Sequence, residues 1–147
     1  MTLPFRPLND RVAVSPQIEL SHVAAAAEAG YRTIVNNRPD GEAMDQPSSA
    51  DVAEAAKAAG LAYVHLPFTG ADASPDQVKA LADILNDPAA GPVLAFCRSG
   101  TRSSVLYSAA AVSLGAPIGE VIADAAKGGY DLSPYAPIIN GLAQAAK

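Results

Sequence analysis

The sequence predicts an α/β fold, with a central, mostly parallel sheet of about four to five strands and helices on both of its faces. Three observations carry this. Short apolar runs alternate along the chain with Ala-rich stretches of helical spacing. Each run is bounded by Pro, Gly, Asn or Asp, the residues that end strands. The segments between runs have the length of helices, so the strands are joined by right-handed crossovers and lie parallel, covered on both sides.

The first strand is predicted over residues 12–14, the second over 31–35, the third over 61–66 and the fourth over 93–96. Helices are predicted over 18–29, 49–59 and 75–85, ending at Gly30, Gly60 and the breaker Asn86, Asp87, Pro88. Ser74, Pro75 and Gln77 mark the third helix start: Ser is a cap, Pro suits the first helical position, and Gln at the third completes a capping box. After the fourth strand, helices are predicted over 103–114, 118–126 and 135–146, so the C-terminal third is helical.

At 147 residues, 50% hydrophobic and 17% charged, the chain has the size and composition of one globular domain spanning 1–147. Its net charge of −5, with scattered Lys and Arg, speaks against nucleic acid as a partner. The N-terminal residues lack the apolar stretch of a signal peptide, and no run approaches the roughly 20 residues of a membrane span, so the expected location is the cytoplasm. The single cysteine, Cys97, fits a reducing compartment. Together with only two histidines, it falls short of a metal-ligand cluster.

The chemistry concentrates after the fourth strand, where the chain reads Cys97, Arg98, Ser99, Gly100, Thr101, Arg102, Ser103, Ser104 and then a helix. A loop entering a helix aims several backbone N–H groups at one spot, and the helix dipole reinforces them. A cysteine there is favoured as a thiolate, the nucleophilic form, and an anion can bind beside it. Gly100 suits close backbone approach or a positive φ. Arg102 offers a planar fork to an anionic substrate, and Arg98 adds a second positive charge. At least one of Thr101, Ser103 and Ser104 is expected to cap the helix. Parallel sheets bind ligands at the carboxyl ends of their strands, which is where Cys97 falls.

The loop resembles the active loop of rhodanese-like sulfurtransferases, which place four residues between Cys and Arg; protein tyrosine and dual-specificity phosphatases place five. The rest of the chain resembles the phosphatase-like domain of the beta-lactamase-hydrolase-like family, also labelled a sulfur transferase family. That likeness rests on Ser15, Pro16 and Gln17, on IVNNRPDGE at 34–42, on YVHLPF at 63–68 and on CRSGTRSSVLY at 97–107. It implies a protein-tyrosine-phosphatase-like fold, a catalytic domain over the whole chain and no cofactor. It also suggests a sulfide-detoxification setting with a separate metal-dependent sulfur-oxidation enzyme as partner.

Two reactions follow from the same nucleophile. In the first, favoured by loop length, Cys97 takes sulfur from a donor such as thiosulfate or a persulfide. It holds it as a persulfide stabilised by the loop and Arg102, then passes it to a thiol or cyanide. In the second, Cys97 attacks a phosphate ester, Arg102 binds the phosphoryl oxygens, and Asp72 protonates the leaving group from the loop that follows the third strand. A third reading is an inactive regulatory module. Arg38 and Asp40, with Glu42, follow the second strand and are placed to line the pocket or brace the loop, against the alternative that Asn36, Asn37, Pro39, Asp40 and Gly41 simply build a turn. His65 is expected in the core and His22 on the solvent face of a helix; Tyr107, Tyr130 and Tyr135 are expected to pack the terminal helix or wall the pocket.

Overall fold

The computed structural model describes residues 3–70 and 72–147. In chain order the elements are β1 (Arg6–Pro7), β2 (Val12–Ser15), α1 (Leu20–Glu28), β3 (Thr33–Asn36), α2 (Ser49–Ala58), β4 (Ala62–His65), α3 (Pro75–Asn86), β5 (Val93–Phe96), α4 (Thr101–Ser113), α5 (Ile118–Lys127) and α6 (Ala136–Ala146). A 3-10 turn, Ser133–Tyr135, precedes α6. The five strands form one sheet in the order β1-β2-β5-β3-β4. All neighbours are parallel except the antiparallel edge pair β1 and β2.

Side-chain alternation on the strands divides the core. Val12, Val14, Val35, Val93 and Ala95 point to the face covered by α3, α4, α5 and α6. Ala13, Ile34, Leu94 and Phe96 point to the face covered by α1 and α2. Helix α4 is buried from Ser103 to Ala111. That placement suits its small residues: Ser103, Ser104, Ser108, Ala109, Ala110 and Ala111 let neighbouring elements close in from every side.

Register decides where the loops meet. Ser15 pairs with Phe96, Phe96 with Asn36, and Asn36 with His65. The four parallel strands therefore end flush, and the segments beginning at Pro16, Asn37, Leu66 and Cys97 leave from one edge.

Several expectations are corrected. Strand β3 starts at Thr33; Tyr31 turns aside to pack edge-on against Phe5, with ring centroids 5.8 Å apart. Strand β4 stops at His65, and α1 starts at Leu20. Strand β1 was not expected, because two residues ending in a proline give no periodicity to read. The α3 capping box forms as its sequence predicts, with Gln77 N–H donating to Ser74 Oγ at 3.2 Å and Ser74 N–H donating to Gln77 Oε1 at 3.1 Å.

Candidate active site

Cys97 is the first residue after β5 and is fully buried at the base of the loop. Its Sγ accepts a hydrogen bond from the Gly100 N–H at 3.1 Å. Gly100 can make this turn because it lies at φ +102°, in the left-handed region that glycine adopts without strain. The same residue is the N-cap of α4, so the helix begins directly over the sulfur. The hydroxyl of Tyr130 donates to Ser99 O at 2.9 Å, and a Cβ added to Gly100 would run into that hydroxyl. Burial pushes the Tyr130 phenol up, while Arg6, 5.3 Å over the ring, acts in the opposite direction.

None of the three hydroxyls expected to cap α4 does so. The Thr101 N–H donates to Ser99 Oγ at 3.3 Å. Ser104 Oγ donates back to Gly100 O at 2.8 Å, and Ser103 Oγ donates to Asn37 Oδ1 at 2.8 Å. Asn37 in turn donates through its backbone to Phe96 O at 2.8 Å and through Nδ2 to Leu66 O at 3.0 Å. One amide side chain thereby joins the segments following β3 and β4 to the first turn of α4.

Arg102 is held by a carboxylate from the segment after β3. Its Nη1 donates to Glu42 Oε2 at 2.9 Å and its Nη2 to Glu42 Oε1 at 2.8 Å. Nη1 also donates to Phe68 O at 3.0 Å. A guanidinium has five N–H donors. These three bonds use the Nη1 side and the end of the fork, leaving Nε with the second Nη2 hydrogen as a parallel pair. Glu42 is itself anchored by Arg38, whose Nε donates to Oε1 at 2.8 Å. The Arg38 side chain is only 4% exposed, and its Nη1 donates to Gln17 Oε1 at 2.9 Å. Arg102, aided by Arg38, holds the Glu42 carboxyl down to about 2 against the opposing effect of burial. Glu42 correspondingly raises Arg102, and the charge of Cys97 adds in the same direction.

The other expected residues are placed differently. Asp40 does not join the cluster; its Oδ1 accepts from the Ser49 N–H at 2.7 Å at the start of α2. Asp72 is exposed, and its Oδ2 accepts from Thr69 Oγ1 at 3.2 Å, within its own loop. Its neighbour Ala71 lies outside the described residues. Arg98 is exposed and lines a polar cleft of about 370 Å³ with Gln17 and Arg38. His65 is half-buried rather than in the core, with Nε2 at 2.9 Å from Arg38 O, so it steadies the residue that anchors Glu42. His22 is not simply solvated: its Nδ1 accepts from Glu19 N–H at 2.9 Å, and its ring meets Phe5 edge-on. Beside Arg102 lies a cavity of about 280 Å³. No described helix is long and apolar enough to cross a membrane, and among the described residues no group of His, Cys, Asp and Glu is placed to hold a metal ion.

From sequence Glu42 reads only as a residue able to line the pocket or brace the loop, and Gln17 only as part of the family resemblance. The signal for Glu42 was its place in the charged turn after β3, but a partner 60 positions away cannot be read from spacing.

Comparison with known proteins places this geometry. Residues 4–114 match the family model described as "Beta-lactamase hydrolase-like protein, phosphatase-like domain". A beta-lactamase hydrolase-like protein of Xylella fastidiosa is 38% identical over 101 residues, which cover 69% of this chain. The match spans only 23% of that relative's length. Among solved structures, a phosphatase-like protein from Neisseria meningitidis superposes with a TM-score of 0.81 at 30% identity, covering 96% of this chain and 99% of the other. TpbA of P. aeruginosa, solved in complex with pTyr, shares the fold with a TM-score of 0.66 at 16% identity, covering 97% of this chain and 90% of the other. These findings favour the phosphatase alternative over the sulfurtransferase reading and support an enzyme of the thiolate-based phosphatase or hydrolase type. The fold is that of the protein tyrosine phosphatases, and the chain belongs to the family of beta-lactamase hydrolase-like phosphatase-like domains.

Proposed function

We propose that this chain is a cysteine-dependent phosphatase acting on phosphate monoesters. The observation that carries the proposal is the joint setting of Cys97 and Arg102. The sulfur receives the Gly100 N–H at the start of α4, while Glu42 holds the guanidinium so that its Nε and Nη2 edge is left for an anion. A side-on guanidinium fork matches two phosphoryl oxygens, and backbone N–H groups at the start of α4 match a third.

The Cys97 thiolate attacks phosphorus, forming an S–P bond as the ester P–O bond breaks. Asp72 gives its proton to the departing oxygen. Water then attacks the phosphocysteine, passing a proton to the Asp72 carboxylate as the S–P bond breaks, which releases phosphate and restores both the thiolate and the acid. Arg98, Ser99, Gly100 and Thr101 form the cradle, Ser103 fixes it to Asn37, and Arg38 holds Glu42 in position. Asp72 follows β4 in the segment whose Phe68 carbonyl accepts from Arg102, and this reading requires its carboxyl to be turned from Thr69 Oγ1 toward the leaving oxygen.

Two observations favour a second reading. Only four residues separate Cys97 from Arg102, and Asp72 is turned toward Thr69; both suit transfer of sulfane sulfur from thiosulfate or a persulfide, which needs no acid. Assaying aryl phosphate hydrolysis and thiosulfate:cyanide transfer side by side separates the two. Phosphate release lost in Cys97→Ser supports the phosphatase; sulfur transfer that needs Cys97, without phosphate release, overturns it.

A further inference from the structure

The pairing of β2 with β5 does not stop where the strands end. The Cys97 N–H donates to Ser15 O at 3.4 Å, and the Gln17 N–H donates to Arg98 O at 3.1 Å. The backbone of the nucleophile is thereby held on both sides by the segment that leaves β2. Gln17 also has its side chain engaged. Its Oε1 accepts from Arg38 Nη1 at 2.9 Å, and its Nε2 donates to Ile18 O at 2.9 Å. An amide can accept from a guanidinium only through its oxygen, and the bond to Ile18 O takes up the nitrogen and leaves the oxygen for Arg38. Arg38 is only 3% exposed, so its charge depends on its partners, and among the described residues its side chain donates to Gln17 and Glu42.

Resting on the phosphate-ester reading above, we infer that Gln17 is a positioning residue: through Arg38 and Glu42 it sets the Arg102 guanidinium relative to the Cys97 sulfur. Glu42 fixes Arg102 to the segment after β3, and Gln17 fixes that segment to the loop that carries the sulfur. Its backbone holds the loop at Arg98, while its side chain starts the chain of bonds Gln17, Arg38, Glu42, Arg102. A displacement of the loop and a displacement of Arg38 are therefore not independent, because both are tied to one residue. Attack on phosphorus requires the sulfur and the fork in a fixed relation, and a misplacement of about 1 Å can cost on the order of 10²-fold in rate. The bonds of the Gln17 side chain go to Arg38 and Ile18, not to Cys97 or Arg102, so it acts through others and its effect is smaller than that of Glu42.

The test is a mutant cycle on the full chain, with 4-nitrophenyl phosphate as substrate. Gln17→Leu removes the acceptor but leaves the backbone N–H, and kcat/KM should fall about 3- to 10-fold, less than the roughly 10- to 100-fold typical of losing a direct orienting partner. Gln17→Glu, which keeps an acceptor oxygen for Arg38, should recover most of that loss. In Glu42→Gln the link to Arg102 is already broken, so adding Gln17→Leu should cost nothing further, whereas independent effects would multiply. Urea unfolding checks that each variant is folded at the assay temperature, and Gln17→Met, which matches glutamine in length, replaces Gln17→Leu should the latter not fold. Wild-type kcat/KM in the apolar variant, no recovery in Gln17→Glu, or a double variant whose loss is the product of the two single losses overturns the inference alone. If the wild-type chain releases no phosphate, the phosphate-ester reading fails and takes the inference with it.

Discussion

The Glu42 carboxylate grips the Arg102 guanidinium end-on, each oxygen bonded to a different Nη at 2.9 and 2.8 Å, across 60 residues of sequence. A bidentate pair fixes the plane of the fork as well as its position. With Arg38 holding the same carboxylate from the other side, Arg102 does not need to be ordered by substrate at the moment of binding.

Glu42→Gln removes the charge but keeps the shape, so the first expectation concerns activity. Without its anchor Arg102 samples other orientations, and kcat/KM for aryl phosphate should fall about 10- to 100-fold, the usual cost of losing a partner that orients a functional group. Steady-state kinetics of wild type and variant read this directly. An unchanged kcat/KM would show that the pair is structural only.

The same carboxylate carries a pH signature. Glu42 titrates at about 2 in the folded chain, well below the usual 4.5, chiefly because of Arg102. A depressed carboxyl stabilises the fold above the unfolded value and loses that contribution as pH falls through the folded one. Wild type should therefore lose more stability than Glu42→Gln between about pH 4.5 and about pH 2. Urea titrations at a series of acid pH values check this, and parallel curves for the two proteins would refute it.

Tyr130 and Gly100 form the next testable pair. Gly100→Ala must place a side chain at φ +102° and against the Tyr130 hydroxyl, so a loss of about 1–3 kcal/mol is expected from backbone strain, before the steric cost. Tyr130→Phe removes one hydrogen bond to Ser99 O and should cost about 1 kcal/mol. Denaturant unfolding measures both. If Gly100→Ala were as stable as wild type, the loop would have another conformation available and the geometry around Cys97 would not be fixed by this contact.

Asp72→Asn separates acid catalysis from its absence. If Asp72 protonates the leaving oxygen, hydrolysis of an alkyl phosphate should fall about 10²- to 10⁴-fold, and hydrolysis of an aryl phosphate with an acidic leaving group much less. Equal losses for both substrates, or none, would remove Asp72 from the mechanism.

Much of the framework is legible in the sequence because it is local. The run at 93–96 is one of the predicted strands, the Ser74 and Gln77 box starts α3 where its residues say, and the order strand, Cys97, Gly100, Arg102 puts the loop at a helix start. What escapes is set by distant partners. Asp40 sits in the same turn as Glu42, but only the fold shows that Asp40 accepts the Ser49 N–H at the start of α2 while Glu42 reaches Arg102. His65 alternates with apolar residues as a core strand would, yet β4 is the sheet edge, so the ring is half-buried and meets Arg38 O. The four-residue loop pointed to sulfur chemistry; the family and the neighbouring structures point to phosphatases, because likeness over the whole scaffold carries more information than one loop length.

The nature of the covalent adduct on Cys97 tests the central claim most directly. Mixing the protein with an aryl phosphate, quenching in acid and mapping peptides by mass spectrometry should show one phosphoryl group on the peptide containing Cys97, absent from Cys97→Ser. A Cys97 peptide that stays unmodified by aryl phosphate but gains a sulfur atom from thiosulfate would contradict phosphoryl transfer and establish the persulfide route.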